Sequence, residues 1–199
     1  MTKRLDELLD RLREIEAAVQ AEIEENRAEF RYRVEQGRVE FDAEVRRRHR
    51  ELREGWLSFL SRTRLLVLIT APVIYSLIVP FVILDIFVSV YQAICFPVYG
   101  IPKVRRRDHI AIDRQHLAYL NGLQKLNCIY CGYCNGLIAF VREVAGRTES
   151  YWCPIKHARR LASPHAHYSS FADYGAGESL QSDWEAARDR IRKAPEAEE

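Results

Sequence analysis

Between Leu65 and Ile101 the chain carries about 37 residues with a single charged side chain, Asp85: LLVLITAPVIYSLIVPFVILDIFVSVYQAICFPVYGI. A membrane-spanning helix uses about 20 such residues, so the run is too long for one span and slightly short for two. Pro80 sits near its middle, with Pro72 and Pro97 elsewhere in it. Proline removes a helix hydrogen bond and favours a kink or a turn. Basic residues flank both ends, Arg62 and Arg64 before the run and Lys103, Arg105, Arg106 and Arg107 after it. The preference of such residues for the cytoplasmic side predicts that both ends face the cytoplasm. A hairpin satisfies that preference: two short helices meeting near Val79 to Phe81, either spanning the bilayer or dipping in and returning. The uncharged length argues against a buried core hairpin of a soluble domain. Such a hairpin places Asp85 near the far interface, where water reaches it; in a buried position, an oligomer contact or a hydroxyl such as that of Tyr75 would satisfy it.

Residues 1–62 have the opposite composition. They contain no proline, are dense in Glu, Arg, Ala and Leu, and show no early apolar run of the signal-peptide kind. Leu5, Leu8, Leu12, Ile15 and Val19 follow heptad spacing, which slips by one at Ile23 and continues through Phe30, Val34, Phe41, Val45, Leu52 and Trp56. The pattern predicts a charged helical stalk of coiled-coil type, with residues 5–56 pairing with further copies or with a partner helix. A solvated charged helix, or one broken at Gly37, is the alternative.

Residues 103–177 carry the chemistry. Cys128, Cys131 and Cys134 stand as C-x2-C-x2-C, followed at a distance by Cys153-Pro154 and His157. Closely spaced thiols plus a remote ligand recur in zinc and iron–sulfur sites. One selection is structural Zn2+ on Cys128, Cys131, Cys153 and His157, the last two one helical turn apart. The other is a [4Fe–4S] cluster in which Cys134 replaces His157. A redox C-x-x-C pair or ordinary buried thiols are the metal-free readings. Around the cysteines the sequence predicts a helix after Asp113, a knuckle at 127–134, a second helix from Leu137 to Val144 stopped near Gly146, and a third beginning at Cys153-Pro154. In residues 178–199, Ser182 to Glu185 has capping-box spacing and opens an amphipathic helix bearing Trp184, Ala187 and Ile191, ended by Pro195. The remaining histidines, among them His109, His116, His165 and His167, read as surface or hydrogen-bonding residues.

Net charge is +2, so the whole-molecule field favours no partner. The basic blocks Arg46 to Arg53 and Lys103 to Arg107 flank the apolar run, where anionic headgroups would meet them. Aromatic residues are not interleaved with these charges, so nucleic acid is not expected. No P-loop, GxSxG, HExxH or GxGxxG string is present.

The strings DRQHLAYLNGLQKLNC, YCNGLIAFVREVAGRTE and YWCPIKHARR, between Asp113 and Arg160, resemble a family of uncharacterised bacterial membrane-associated proteins. The resemblance implies a bacterial cytoplasmic membrane and no particular activity. The expectation is a mainly α protein in four segments: a stalk at 1–62, a membrane hairpin at 63–102, a cytoplasmic metal-binding domain at 103–177, and a C-terminal helix and tail at 178–199. Its expected role is that of a non-enzymatic, membrane-anchored scaffold or adaptor with both termini cytoplasmic. A membrane-bound iron–sulfur electron-transfer or complex-assembly factor is the alternative.

Overall fold

The computed structural model of the chain describes residues 3–30, 32–35 and 38–193. It is mainly helical and divides into two compact units, Met1–Leu60 with Asp113–Lys125, and Ser61–Ile112 with Leu126–Glu199.

In the first unit the expected long stalk ends early. Helix α1 runs from Lys3 to Glu29 and is followed by strands β1 (Tyr32–Glu35) and β2 (Arg38–Phe41), then by α2 (Ala43–Glu51) and α3 (Trp56–Arg62). The strands pair antiparallel, with Tyr32 opposite Phe41 and Val34 opposite Val39. The Tyr32 and Phe41 rings, directly opposite, form a cross-strand aromatic pair of the kind that stabilises a hairpin. Period-two spacing thus prevails over the heptad phase from residue 30 onward. Of the expected stripe on α1, Ile15, Val19 and Ile23 are exposed, while the side chains of Leu5, Leu8 and Leu12 lie outside the described residues. A chain of ring contacts extends from the hairpin: Tyr32 on Phe41 at 5.5 Å, Phe41 on His49 at 5.2 Å, and His49 on Tyr119 at 5.1 Å.

In the second unit the apolar run forms α4 (Leu65–Ser76) and α5 (Ile78–Tyr99). Only Leu77 separates them, and its backbone stays right-handed helical at φ −62°, ψ −15°. Pro80 has no N–H to offer Ser76, which accounts for the local loss of the ladder, but the chain does not reverse. The hairpin expected near Val79 to Phe81 is therefore replaced by one apolar helical path from Leu65 to Tyr99. Contacts with the next helix, α6 (Gly122–Trp152), progress in one direction. Tyr130 donates to the Ile74 carbonyl at 2.8 Å, Tyr133 to Asp85 at 2.9 Å, Tyr91 meets Thr148 at 3.0 Å, and Tyr99 stacks on Tyr151 at 4.9 Å. The two helices thus run parallel, which requires a long return connection.

That return begins at Gly100, whose φ of +67° lets the α5 terminus close as Ile101 N–H bonds the Phe96 carbonyl at 2.9 Å. Residues 101–112 then run back along α5 as a strap. Gln92 fixes it by a reciprocal pair of bonds, Val104 N–H to Gln92 Oε1 at 2.9 Å and Gln92 Nε2 to the Val104 carbonyl at 3.1 Å. Phe96, Ile101, Val104, Leu137, Phe140, Val144 and Ile191 form the buried core. Ile191 comes from α7 (Leu180–Arg192), whose inward side also carries Ala187, while Trp184 donates to the Tyr151 carbonyl at 2.8 Å. The face expected from Trp184, Ala187 and Ile191 is the one used, though the helix starts at Leu180 rather than after Ser182; Pro195 lies outside the described residues.

The continuity of α6 is the second correction. The sequence led us to expect a knuckle at 127–134, a break at Asn135-Gly136 and a stop at Gly146; all lie inside one helix. Its start was encoded elsewhere. Asn121 Oδ1 accepts from Gln124 N–H, and Gln124 Oε1 accepts from Asn121 N–H, each at 2.9 Å, a reciprocal cap. Internal glycine weakens a helix by about 1 kcal/mol, and here Gly136 and Gly146 provide close packing. A Cβ at Gly136 would lie 2.7 Å from the His109 carbonyl oxygen and from Ile110 Cα on the strap, and one at Gly146 would lie 2.9 Å from His165 Nδ1. Cys153-Pro154 ends α6 instead of opening a new helix, because the residue before a proline is disfavoured in the α region. Beyond it, Ile155 bridges to Ala172 in place of the expected helix.

Gly136→Ala should lower stability by about 1–3 kcal/mol, because backbone on the strap has to move. Gly122→Ala on the same helix, with nothing within 4 Å, should be neutral or slightly stabilising. Thermal unfolding of the two variants in one detergent checks the contrast.

Candidate functional site

The one carboxylate of the apolar run is the centre of a closed polar cluster. Asp85 projects from α5 with its side chain 14% exposed. Arg106, on the strap, donates to both its oxygens: Nη2 to Oδ2 at 2.8 Å, and Nη1 to Oδ1 in a short contact. Tyr133 from α6 donates to Oδ2 at 2.9 Å, and Ser89 from the next turn of α5 donates to Oδ1 at 3.2 Å. The guanidinium also lies over the Phe140 ring, 5.5 Å from its centroid. Two-pronged arginine–carboxylate pairing combines geometric specificity with charge-assisted bonds. Three segments, α5, the strap and α6, therefore meet at one group. Sequence reasoning held Asp85 to be water-facing, or satisfied by Tyr75. The Tyr75 hydroxyl instead bonds Asn127 Oδ1, and Arg106, read as a headgroup contact, is turned inward.

The expected metal ligands are distributed differently. Cys128, Cys131 and Cys134 lie on α6, half-buried, exposed and buried respectively; Cys153 is exposed just beyond its end. At about 1.5 Å per residue, the unbroken helix separates Cys153 from Cys128 by roughly 37 Å and from Cys134 by roughly 28 Å. Thiolates sharing a zinc ion each lie about 2.3 Å from it. His157 stacks on Tyr168 with ring centroids 5.8 Å apart, and its backbone N–H donates to the Tyr168 hydroxyl at 2.6 Å. Among the described residues no group of His, Cys, Asp and Glu stands ready to hold an ion. In this conformation the four expected zinc ligands do not converge, nor do the four cysteines of the cluster alternative.

Histidines read as hydrogen-bonding residues form a clasp between α6 and the loop after Pro164. His165 Nε2 meets Glu149 Oε2 at 2.9 Å, and His167 Nε2 meets Glu143 Oε1 at 3.0 Å. Arg147 Nε donates to the same Glu143 oxygen at 2.8 Å. The signal for this clasp was present as Glu143 and Glu149 six apart on a helix, facing His165 and His167 two apart in a loop, but nothing local paired them.

Compared with known proteins, the chain matches no protein-family model, no curated protein and no solved structure.

Two outcomes follow from this geometry. For the Asp85 cluster, a double-mutant cycle of Asp85→Asn and Arg106→Gln, read by chemical denaturation, should give a coupling of about 1–2 kcal/mol, limited because Arg106 is half exposed; additive single effects would contradict the pairing. For the clasp, the His167 bond, followed by Arg147, holds the Glu143 carboxyl at about 2, down from 4.5. A folded-state value below the unfolded one contributes stability that is fully present above pH 4.5 and is lost as pH falls toward 2. Glu143→Gln should therefore flatten the acid limb of the stability–pH curve in that window.

Proposed function

We propose that the chain is a membrane-anchored, non-enzymatic scaffold or adaptor, held in a bilayer by α4 and α5. The observation that carries this reading is the apolar helix from Leu65 to Tyr99, 35 residues long, of which the most hydropathic window is 0% buried. Leu66, Val73, Phe87 and Val98 are among its exposed side chains. Soluble monomers rarely expose a continuous apolar face of this extent. At about 1.5 Å per residue the helix is roughly 52 Å long, more than the roughly 30 Å of hydrocarbon in a bilayer. The stretch before Asp85, about 20 uncharged residues, matches that thickness, and the Asp85–Arg106 pair then marks where polar surroundings begin.

The chain on either side of the helix comes back together, since Met1–Leu60 and Asp113–Lys125 form one compact unit and Tyr119 packs on His49 at 5.1 Å. In this reading both termini face the cytoplasm, the side that the flanking basic residues favour. The bacterial cytoplasmic membrane is the setting that the resemblance of residues 113–160 suggests. The adaptor part of the reading is supported by the exposed Ile15, Val19 and Ile23 on α1, a surface on which a partner helix or a second copy would pack. An electron-transfer role needs Cys128, Cys131, Cys134 and Cys153 around one cluster, and the unbroken α6 does not support that.

The wild-type chain should resist alkaline carbonate extraction and float with liposomes. Ile69→Asp with Val73→Asp, both at exposed positions, should release it, since each mid-bilayer carboxylate costs about 3 kcal/mol. Accessibility tags at residues 1 and 199 should both report the cytoplasmic face. Release of the wild type by carbonate would refute the anchor; a tag reached from the other face would refute that topology.

A further inference from the structure

The first unit holds an open pocket of about 420 Å³, within the roughly 300–1,000 Å³ of small-molecule sites. Five rings line it, those of Phe30, Tyr32, Phe41, His49 and Tyr119. They are turned against one another: Phe41 meets His49 at 69°, and His49 meets Tyr119 at 85°. Aromatic groups associate with such rings by offset stacking or edge-to-face contact, so the lining suits a flat ring better than a branched aliphatic group. Phe30 and Tyr119 remain exposed, which leaves ring surface for a guest to cover. The wall is built from two stretches of the same compact unit, residues 30–49 and residues 113–119.

The second stretch adds two opposite charges on consecutive residues. Asp113 and Arg114 both line the pocket, and both are exposed. Asp113 precedes the short turn Arg114–His116, yet its side chain does not cap that turn. Neither side chain has an ion pair or a hydrogen bond among the described residues. Consecutive Cα atoms lie about 3.8 Å apart, so both charges leave the wall from one short stretch. An anion would be attracted by Arg114 and repelled by Asp113, and a cation the reverse. A hydrocarbon would engage neither. A small zwitterion, with its ammonium and carboxylate on one carbon atom, engages both.

We infer that this pocket binds a free amino acid with an aromatic side chain, its ring among the five protein rings, its carboxylate on Arg114 and its ammonium on Asp113. A guanidinium suits a carboxylate because it donates two parallel N–H bonds. The site lies wholly in the first unit, so it does not depend on the membrane anchor. Because its walls come from two separate stretches of chain, the ligand ties them together when it binds.

The test titrates the full chain in detergent, by calorimetry, with L-tryptophan, L-leucine, tryptamine and indole-3-propionate. The last three lack the ring, the carboxylate and the ammonium respectively. L-Tryptophan should bind at one per chain and at least tenfold more tightly than any of them. Arg114→Gln should weaken L-tryptophan at least tenfold and leave tryptamine unchanged. Asp113→Asn should weaken it similarly and leave indole-3-propionate no weaker. Both substitutions are at exposed positions, so circular dichroism should stay as in the wild type. Tyr119→Leu should weaken all three indole compounds together. Hydrogen exchange of the wild type should slow on adding L-tryptophan in residues 38–49 and in residues 113–119. The inference is overturned if L-tryptophan does not bind, if L-leucine binds as tightly, or if both charge variants keep the wild-type affinity. Tryptamine or indole-3-propionate binding as tightly as L-tryptophan would also sink it, because one of the two charges would then be idle.

Discussion

A carboxylate set into an apolar helix has to find a cation, and the consequences of that need extend through the second unit. Asp85 cannot remain an isolated ion beside hydrocarbon or packed apolar side chains without a penalty of several kcal/mol. Its cation comes from Arg106, which follows α5 in sequence and must therefore double back to reach it. The reversal needs a left-handed residue, supplied by Gly100. The returning backbone needs a place to lie, supplied where Gly136 leaves α6 without a side chain. Tyr133 then ties α6 to the same carboxylate. One ion pair thus dictates the path of the strap, and the strap is the first part of the long return by which two parallel helices are joined.

Parallel packing also explains the glycines of α6. In isolation Gly132, Gly136 and Gly146 would weaken a helix, and a sequence with cysteines between them reads as a metal-binding turn. Packing reverses that reading. The buried side of α6 includes Gly132, Cys134, Gly136, Leu137, Phe140, Val144 and Gly146, and Gly136 and Gly146 lie where the strap and the loop bearing His165 press closest. Tertiary contact outweighs local propensity here, and the thiol at Cys134 serves as a small packed side chain.

These cases show which physical information a single sequence carries. The apolar run, its flanking charges and the Ala187–Ile191 face of α7 are local patterns, and each was legible. The β-hairpin was legible in principle, since Tyr32, Val34, Val39 and Phe41 alternate about Gly37. It was obscured because the intervening Arg and Glu residues are good helix formers that also fit a slipped heptad. The absence of a membrane hairpin turned on Leu77 remaining helical despite Pro80, and proline permits either a kink or a turn. The Asp85–Arg106 pair and the His–Glu clasp join residues far apart in sequence. Only the return path of the strap and the docking of the loop bring them together, and neither is written in any short window. The spacing of Cys128, Cys131 and Cys153 was equally legible as a motif, yet whether a motif becomes a site depends on the backbone between its parts.

The distinction between inward and outward cations completes the argument. Lys103 to Arg107 form one basic cluster in sequence and two populations in the fold. Arg106 neutralises a carboxylate and braces the strap, Arg105 pairs locally with Asp108, and Lys103 and Arg107 are exposed. The inward pair fixes the backbone that carries the others, so the exposed members of the cluster stand on a braced segment rather than on a flexible tail. The same pairing that allows a carboxylate in the helix thus also sets where along α5 the basic cluster lies.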